Sequence, residues 1–349
     1  MNFQAFCKCT FQFARIMGIA LAAIVAFSSI HAIAQQAVFA DYPQKRGKAE
    51  PLQWDDLPSS MTLGFEPGGR TEGQSSWNYT EDGVRIDELK REYAAIEIRP
   101  TSFLTAYLPS IDAHALGLPT HGIQSNMRDV FNLRQGYLDF HTRPAGIPAN
   151  IFAAGQELKF GSERMIGISD WTSNSRTSDG FDGGIGDKNR VDLFSSSVAT
   201  VHPTSLDTHG AAQNLDGAYG SVTRWIPGVH LSPSVLVHGV RGVTSNRGIT
   251  GIEVETTLSS KVDGSLPAHV DLEANLSLKR GSYSYNSIRA GENFDELSYT
   301  LAKAPWTPRI GGEFDDATGN NHDNPNLMTT YDQSYPSNHN VFGLVDLFG

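Results

Sequence analysis

Val270-Asp271-Leu272-Glu273-Ala274-Asn275-Leu276-Ser277-Leu278-Lys279 alternates between apolar and polar side chains without a break. A period of two sends successive side chains to opposite faces of an extended strand, so this stretch has one apolar and one fully polar face. Upstream, Ile252, Val254, Thr256 and Leu258 alternate with Glu253, Glu255, Thr257 and Ser259. Downstream, Leu297, Tyr299 and Leu301 stand opposite Ser298, Thr300 and Ala302, and Ile310, Gly312 and Phe314 stand opposite Arg309, Gly311, Glu313 and Asp315. One face is wet in every case. A soluble sandwich with a solvated outer face and a membrane barrel with a polar lumen both produce this pattern, and they differ in what the apolar residues touch. Strands of about 9 to 11 residues suffice to cross a bilayer. Tyr219, Trp225, Tyr283, Tyr285, Tyr299 and Trp306 fall near strand ends, where a girdle at the membrane surface would lie.

Composition points the same way. The 349 residues include 34 glycines and 17 prolines, with 10% aromatic and only 19% charged residues, which suits an all-β chain rich in turns. Residues 1–34 read as an export signal: Lys8 and Arg15 form a basic start, residues 16–30 an apolar core, and Ala32-Ile33-Ala34 a small-x-small cleavage pattern. Both cysteines, Cys7 and Cys9, lie in that segment, so the processed chain would have no thiol for disulfides, iron-sulfur clusters or zinc. Loss of Lys8 and Arg15 would take the formal charge from −11 to −13, which argues against nucleic acid as a partner. No later segment is apolar enough to span a bilayer as a helix.

Residues 35–57, rich in proline and mixed in charge, read as a periplasmic lead-in, and residues 58–349 as the main domain. A first strand is expected over 61–66. Residues 87–99 carry the one plausible helical pattern, but Ala94, Ile96 and Ile98 alternate with Ala95, Glu97 and Arg99, so the second half reads as a strand. Another strand is expected over 102–108.

The densest run of ionisable groups is residues 155–179. Gln156, Leu158 and Phe160 alternate with Gly155, Glu157 and Lys159 like a strand, and a polar loop follows. Glu157, Glu163, Arg164, Asp170, Arg176 and Asp179 then crowd together at a strand end. A water-filled mouth would keep them solvated, and so would a surface ion-pair network on a soluble sheet. Catalytic motifs are missing: there is no Gly-x-Ser-x-Gly elbow, no His-Glu-x-x-His helix and no phosphate loop. His114 with His121, and His202 with His209, lack the spacing of a metal pair. Asp315, Asp316, Asn320, Asp323 and Asn326 read as a solvated external loop, with calcium the alternative. No catalytic residue, metal or cofactor is expected.

Leu133-Arg134-Gln135-Gly136-Tyr137-Leu138, followed by Gln156-Glu157-Leu158, Gly161, Glu163-Arg164, Ile166-Gly167, Asp170-Trp171, Arg176 and Asp179, resembles the signature of the alginate export family. Tyr331-Asp332-Gln333, Tyr335-Pro336, Asn338-His339 and Gly343-Leu344-Val345-Asp346-Leu347-Phe348-Gly349 resemble that family's late loop and the strand after it. The likeness covers most of the chain from about residue 60. It implies an antiparallel transmembrane β-barrel with a polar lumen in the cell outer membrane, partnered by outer-membrane lipid and the assembly machinery. The implied cargo is an anionic, alginate-like polysaccharide or smaller solutes, moved without bond-making. A general porin with another substrate, or a soluble secreted all-β protein that binds or hydrolyses carbohydrate, are the alternatives.

Three departures stand out. Gly155 replaces an arginine that often precedes Gln-Glu-Leu in the family, and Ser173 stands where an asparagine often follows Asp-Trp-Thr. The chain also stops where the family has further strands. Roughly 13 strand-like segments precede Gly349 where an even number, about eighteen in this family, is expected, so an incomplete barrel with unpaired first and last strands is anticipated, residues 341–349 opening a further strand. For a polyuronate conduit the lumenal candidates are Arg99, Arg134, Glu157, Lys159, Arg164, Asp170, Arg176, Asp179 and Arg309, with Arg190 and Arg224 as further cations. The lumenal acids Glu97, Glu157, Glu253, Glu255, Asp271, Glu273, Glu313 and Asp315 outnumber the bases Arg99, Lys159, Lys279 and Arg309 on the strands that can be oriented.

Overall fold

The computed structural model describes residues 50–52, 57–75, 84–118, 123, 126–133, 135–171, 173–223, 226–244, 248–319, 324 and 326–341. The proposed export signal, most of the lead-in, Arg134, Arg224, Trp225, Asn320, Asp323 and residues 342–349 lie outside them. The strands are β1 (Glu50–Leu52), β2 (Met61–Ser75), β3 (Val84–Thr101), β4 (Leu104–Leu116), β5 (Asp129–Leu133), β6 (Gly136–Thr142), β7 (Ala149–Gln156) and β8 (Ser178–Gly186). They continue with β9 (Arg190–Val198), β10 (Gln213–Ser221), β11 (Val229–Thr244), β12 (Thr250–Leu266), β13 (Val270–Tyr283), β14 (Asn286–Thr300), β15 (Arg309–Ala317) and β16 (Leu327–Met328). All belong to one sheet, ordered β1-β2-β3-β4-β6 and then consecutively to β15, with β5 paired to β4 and the short β16 running parallel to β14. Every other pairing is antiparallel between neighbours on that path, the up-and-down order of a meander.

The sheet is curled. Arg91 on β3 meets Asp170 at 2.9 Å, and Arg164, six residues before Asp170, meets Asp315 on β15 at 3.2 Å. In a flat sheet β3 and β15, eleven steps apart, would be separated by about 50 Å, which is more than two extended side-chain pairs and about 20 Å of chain can bridge. The wall therefore wraps around residues 157–176. β1 and β15 stand at the two ends of the pairing order, and among the described residues they are not paired with each other.

Alternation decides what faces out. Ile96, Ile98, Leu108, Leu138, Phe140, Ile151, Phe181, Val191, Leu193, Ile252, Val254, Leu258, Leu297, Ile310 and Phe314 are exposed on the convex side. A continuous apolar face of this extent is untenable in water and is what a bilayer contacts, which removes the soluble-sandwich alternative. Trp306, in the connection after β14, is 98% exposed, as a girdle at the membrane surface requires, while Tyr285, 78% exposed, sits at the tip of the hairpin at the other end of β14. Tyr219 does not belong to it. This residue is 7% exposed and points inward.

The concave side has two characters. On β12 and β13 it carries Glu255, Thr257, Ser259, Lys261, Asp263, Asn275, Ser277 and Lys279, all buried, so the expected wet face is polar but packed. On β3, β4, β6 and β7 it carries Tyr93, Ala95, Tyr107, Ile111, Ala113, Tyr137 and Phe152. Tyr137 lies 5.2 Å from Tyr107 and edge-on to Phe152 at 5.6 Å, centroid to centroid.

Several expectations change. Residues 87–99 are strand throughout, because Asp87, Leu89, Tyr93, Ala95 and Glu97 share one buried period-2 face. β2 runs well past residue 66. Its Pro67 stands opposite Glu92 of β3, and among the described residues β1 pairs only with Leu63 to Phe65. β4 likewise extends beyond 108. Asp315 and Asp316, expected in an oxygen-rich loop, are successive residues of β15 on opposite faces, and Asn320 and Asp323 of that loop lie outside the described residues. Val341 ends a single helical turn, Asn338–Val341, where a strand was expected to begin.

Replacing Leu258, mid-strand and 57% exposed, by arginine is expected to cost about 2 to 4 kcal/mol in vesicles. Tyr285→Arg, at a turn tip, is expected to stay within about 0.5 kcal/mol. Urea titration of the reconstituted protein measures both, and equally small changes would place Leu258 in water.

Candidate functional site

The chain leaves the wall at Gln156. Ala154 has φ 85°, which bends the end of β7, and the next buried residues, Gln156, Glu157, Leu158 and Phe160, no longer alternate. The strand expected to run through Phe160 therefore stops earlier. What draws the segment inward is apolar: Leu158, Phe160 and Ile166 pack against Phe194, Leu215, Tyr219 and Leu236 from β9, β10 and β11. The Phe160 ring stacks on Phe194 and on Tyr219, each at 5.0 Å. Burying three such side chains stabilises the infold by about 1.5 to 3 kcal/mol each, more than a solvated loop would gain. Gly161, at φ 56°, lies so close to Tyr219 that a Cβ would meet its hydroxyl at 2.9 Å. At Gly167 a Cβ would meet that of Glu163 at 2.7 Å.

A second segment, 331–341, lies beside the first. Ile166 and Tyr335 form a parallel bridge, with Gly167 N donating to Tyr335 O at 2.8 Å and Tyr335 N to Met165 O at 3.1 Å. Arg176 locks the two together by donating from Nη1 to the carbonyls of Gly167 at 2.8 Å, Tyr335 at 2.6 Å and Pro336 at 3.2 Å. Burial pulls its guanidinium below the usual range, a shift opposed by Tyr335 and Glu163. Glu163 accepts from Ser337 Oγ at 2.6 Å and Ile168 N at 3.1 Å, and pairs with Lys159 at 2.5 Å. Together the two segments form an internal plug.

Side chains tie the plug to the wall. Arg164, 5% exposed, reaches Asp315 at 3.2 Å, Glu313 at 3.4 Å and Glu292 at 3.8 Å, with its guanidinium 3.4 Å above the Phe294 ring. Asp170 meets Arg91 at 2.9 Å, and Trp171 stacks on His339 at 3.6 Å with Arg70 3.7 Å from its ring centre. Tyr335 OH donates to Gln213 at 2.7 Å and lies 3.1 Å from His238 Nε2, whose Nδ1 faces Glu255 at 3.3 Å. Lys279 bonds Glu255 at 2.6 Å and the Asp332 carbonyl at 2.5 Å.

The candidates from sequence separate accordingly. Glu157, bonded by Ser175 Oγ, belongs to the plug with Lys159, Arg164, Asp170 and Arg176. Arg164 and Arg176 are clamps rather than free cations of an open constriction. Asp179 is on the wall, 3.6 Å from His209, and a Cβ at Gly155 would lie 3.2 Å from its carboxylate, so the family's missing arginine would crowd this point. Arg99 pairs with Glu97 at one rim, and Arg309 with Glu296 at 2.9 Å and Asp271 at 3.5 Å at the start of β15. Arg190 is buried against Asp192 at 2.7 Å as a wall brace. Missed from sequence were Arg70, Arg91, His238, Ser337 and His339. The Tyr-Pro-Ser-Asn-His run at 335–339 was the available signal for the last two.

Burial also pushes the Tyr335 phenol up to about 12. An acid whose folded pKa is raised stabilises the fold below its unfolded value, near 10, and loses that contribution as pH rises through 12. The stability difference between wild type and Tyr335→Phe is therefore expected to be constant below pH 10 and to shrink between 10 and 12. A difference that does not change across this window, in urea titrations at each pH, would contradict the placement.

The alginate export family model matches residues 95–349. No curated protein matches the chain. Among solved structures the chain is similar to the Salmonella typhi OmpF complex with daunomycin, at 9% identity and a TM-score of 0.36, over 78% of this chain and 95% of that one. The fold rests on the strand pairing and not on this likeness. With most of its length matched by the model, and with an apolar outer wall around a charged interior, the chain belongs to the alginate export family and is an outer-membrane β-barrel channel.

Proposed function

We propose that this channel carries an anionic polysaccharide of the polyuronate type, or smaller anionic solutes, by diffusion, and that the plug closes the path until such a ligand loosens it. The observation that carries this reading is the setting of Arg164. Its partners Glu313 and Asp315 are 50% and 40% exposed, so a ligand carboxylate can reach the guanidinium along the same edge and take it bidentately. A polyuronate presents one carboxylate per sugar. It is chemically the same partner that Arg164 already has. The family match supports the cargo class. The excess of acids on the wall favours a second reading, a general porin that passes other solutes.

Planar-bilayer recording distinguishes the two. Uronate oligomers added to wild type are expected to change channel opening at concentrations where neutral oligosaccharides of equal length do nothing. Arg164→Gln is expected to open the channel more often and to lower sensitivity to uronates by about tenfold. Equal responses to charged and neutral sugars would remove the polyuronate reading and leave the general porin.

A further inference from the structure

The convex face of β13 runs Val270, Leu272, Ala274, Leu276, Leu278 and then Arg280. In a strand tilted by about 40°, the apolar part of that column rises roughly 20 Å, close to the height of an outer-membrane apolar belt. Arg280 is the first residue above it. Directly opposite in register on β14 stands Arg289, also exposed and also on the convex face. The hairpin that joins them turns at Ser284 and Tyr285, at the end of the sheet where the connections after β4, β7 and β9 are long. Long connections mark the external side of such barrels.

Neither arginine meets a carboxylate among the described residues. Arg280 Nη1 donates to the carbonyl of Lys279 at 3.0 Å, and Arg289 enters no ion pair with any described residue. Across from Arg280 on β12 is Thr256. The nearest acid on the convex face of β14, Asp295, is six residues down the strand and is bonded by Asn293 at 2.7 Å. Like charges directly opposite on neighbouring strands repel, and this pair also stands beside hydrocarbon. An anion between them turns both costs into charge-assisted hydrogen bonds. Leu278 faces Gly291 one row below and its Cδ2 lies 3.4 Å from where a Cβ of Gly291 would stand, so the surface directly under the pair is apolar.

We propose that Arg280 and Arg289 bind the phosphate headgroup of an anionic lipid in the external leaflet. The site is separate from the channel interior and independent of what the channel carries. Its geometry selects a lipid over free phosphate, because the two guanidinium groups sit at the belt's edge with the apolar column beneath them.

The full chain in a neutral detergent, studied by native mass spectrometry, tests this. Dioleoyl phosphatidic acid is expected to remain bound about tenfold more than dioleoyl phosphatidylcholine, and Arg280→Gln/Arg289→Gln to abolish that preference. Arg289→Gln alone should reduce it by a lesser factor, Arg280→Lys/Arg289→Lys should keep part of it, and Lys303→Gln, at the other end of the barrel, should leave it unchanged. Millimolar inorganic phosphate is expected not to displace the lipid. Equal retention of the two lipids, retention unaffected by both glutamine variants, or displacement by inorganic phosphate would each overturn the proposal. Heat-modifiable gel mobility establishes that each variant is folded.

Discussion

Buried charge needs a partner, and that requirement organises the interior. The inner faces of β12 to β15 present Glu255, Asp263, Glu292, Glu313 and Asp315. The wall itself answers with Lys279 against Glu255 and Lys261 against Asp263. Glu292, Glu313 and Asp315 receive Arg164 from the plug. An isolated carboxylate out of water costs several kcal/mol, a penalty that falls on the buried Glu292, while Glu313 and Asp315 stay half in solvent, so it is the inner face of β14 that leans most on the cation from the infolded segment. The plug is thus part of the barrel's charge balance. Its other half rests on a different force, the packing of Leu158, Phe160 and Ile166 against β9, β10 and β11.

Much of the wall was legible in sequence because a strand between lipid and a polar interior must alternate. Residues 270–279 do so perfectly, and the structure puts Asn275, Ser277 and Lys279 inside. The infold was not legible. Residues 155–160 alternate as well as many true strands, but their fate is set by Phe194 and Tyr219, far along the chain, and by a bend at Ala154 that no residue type announces. Tyr219 misled for a related reason: tyrosine near a strand end suits a girdle or a core equally, and only the arrival of Phe160 decides. Arg164 and Arg176 were recognisable as interior charges. Their roles as clamps depend on residues 292 to 336, a separation over which local pattern carries no information.

The plug's internal and external ties differ in kind, and the difference bears on how a channel so filled can conduct. Between the plug's two segments the bonds include backbone to backbone pairs of residues 165–167 with 335, those from Arg176 to three main-chain carbonyls, and that from Ser337 Oγ to the Glu163 carboxylate. A polyanion offers nothing to replace a carbonyl acceptor within such a ladder. Towards β3 and β15, by contrast, the ties are ion pairs between side chains, Arg91 with Asp170 and Arg164 with Asp315 and Glu313. On the proposed function, these are the bonds that a carboxylated ligand or high salt would compete with, because one anion can take another's place at a guanidinium group. Such competition would act first where the plug meets the wall and last where its two segments meet each other. On these bonds the two segments would shift as one piece, with the stack of Phe160 on Phe194 and Tyr219 as the point that holds longest.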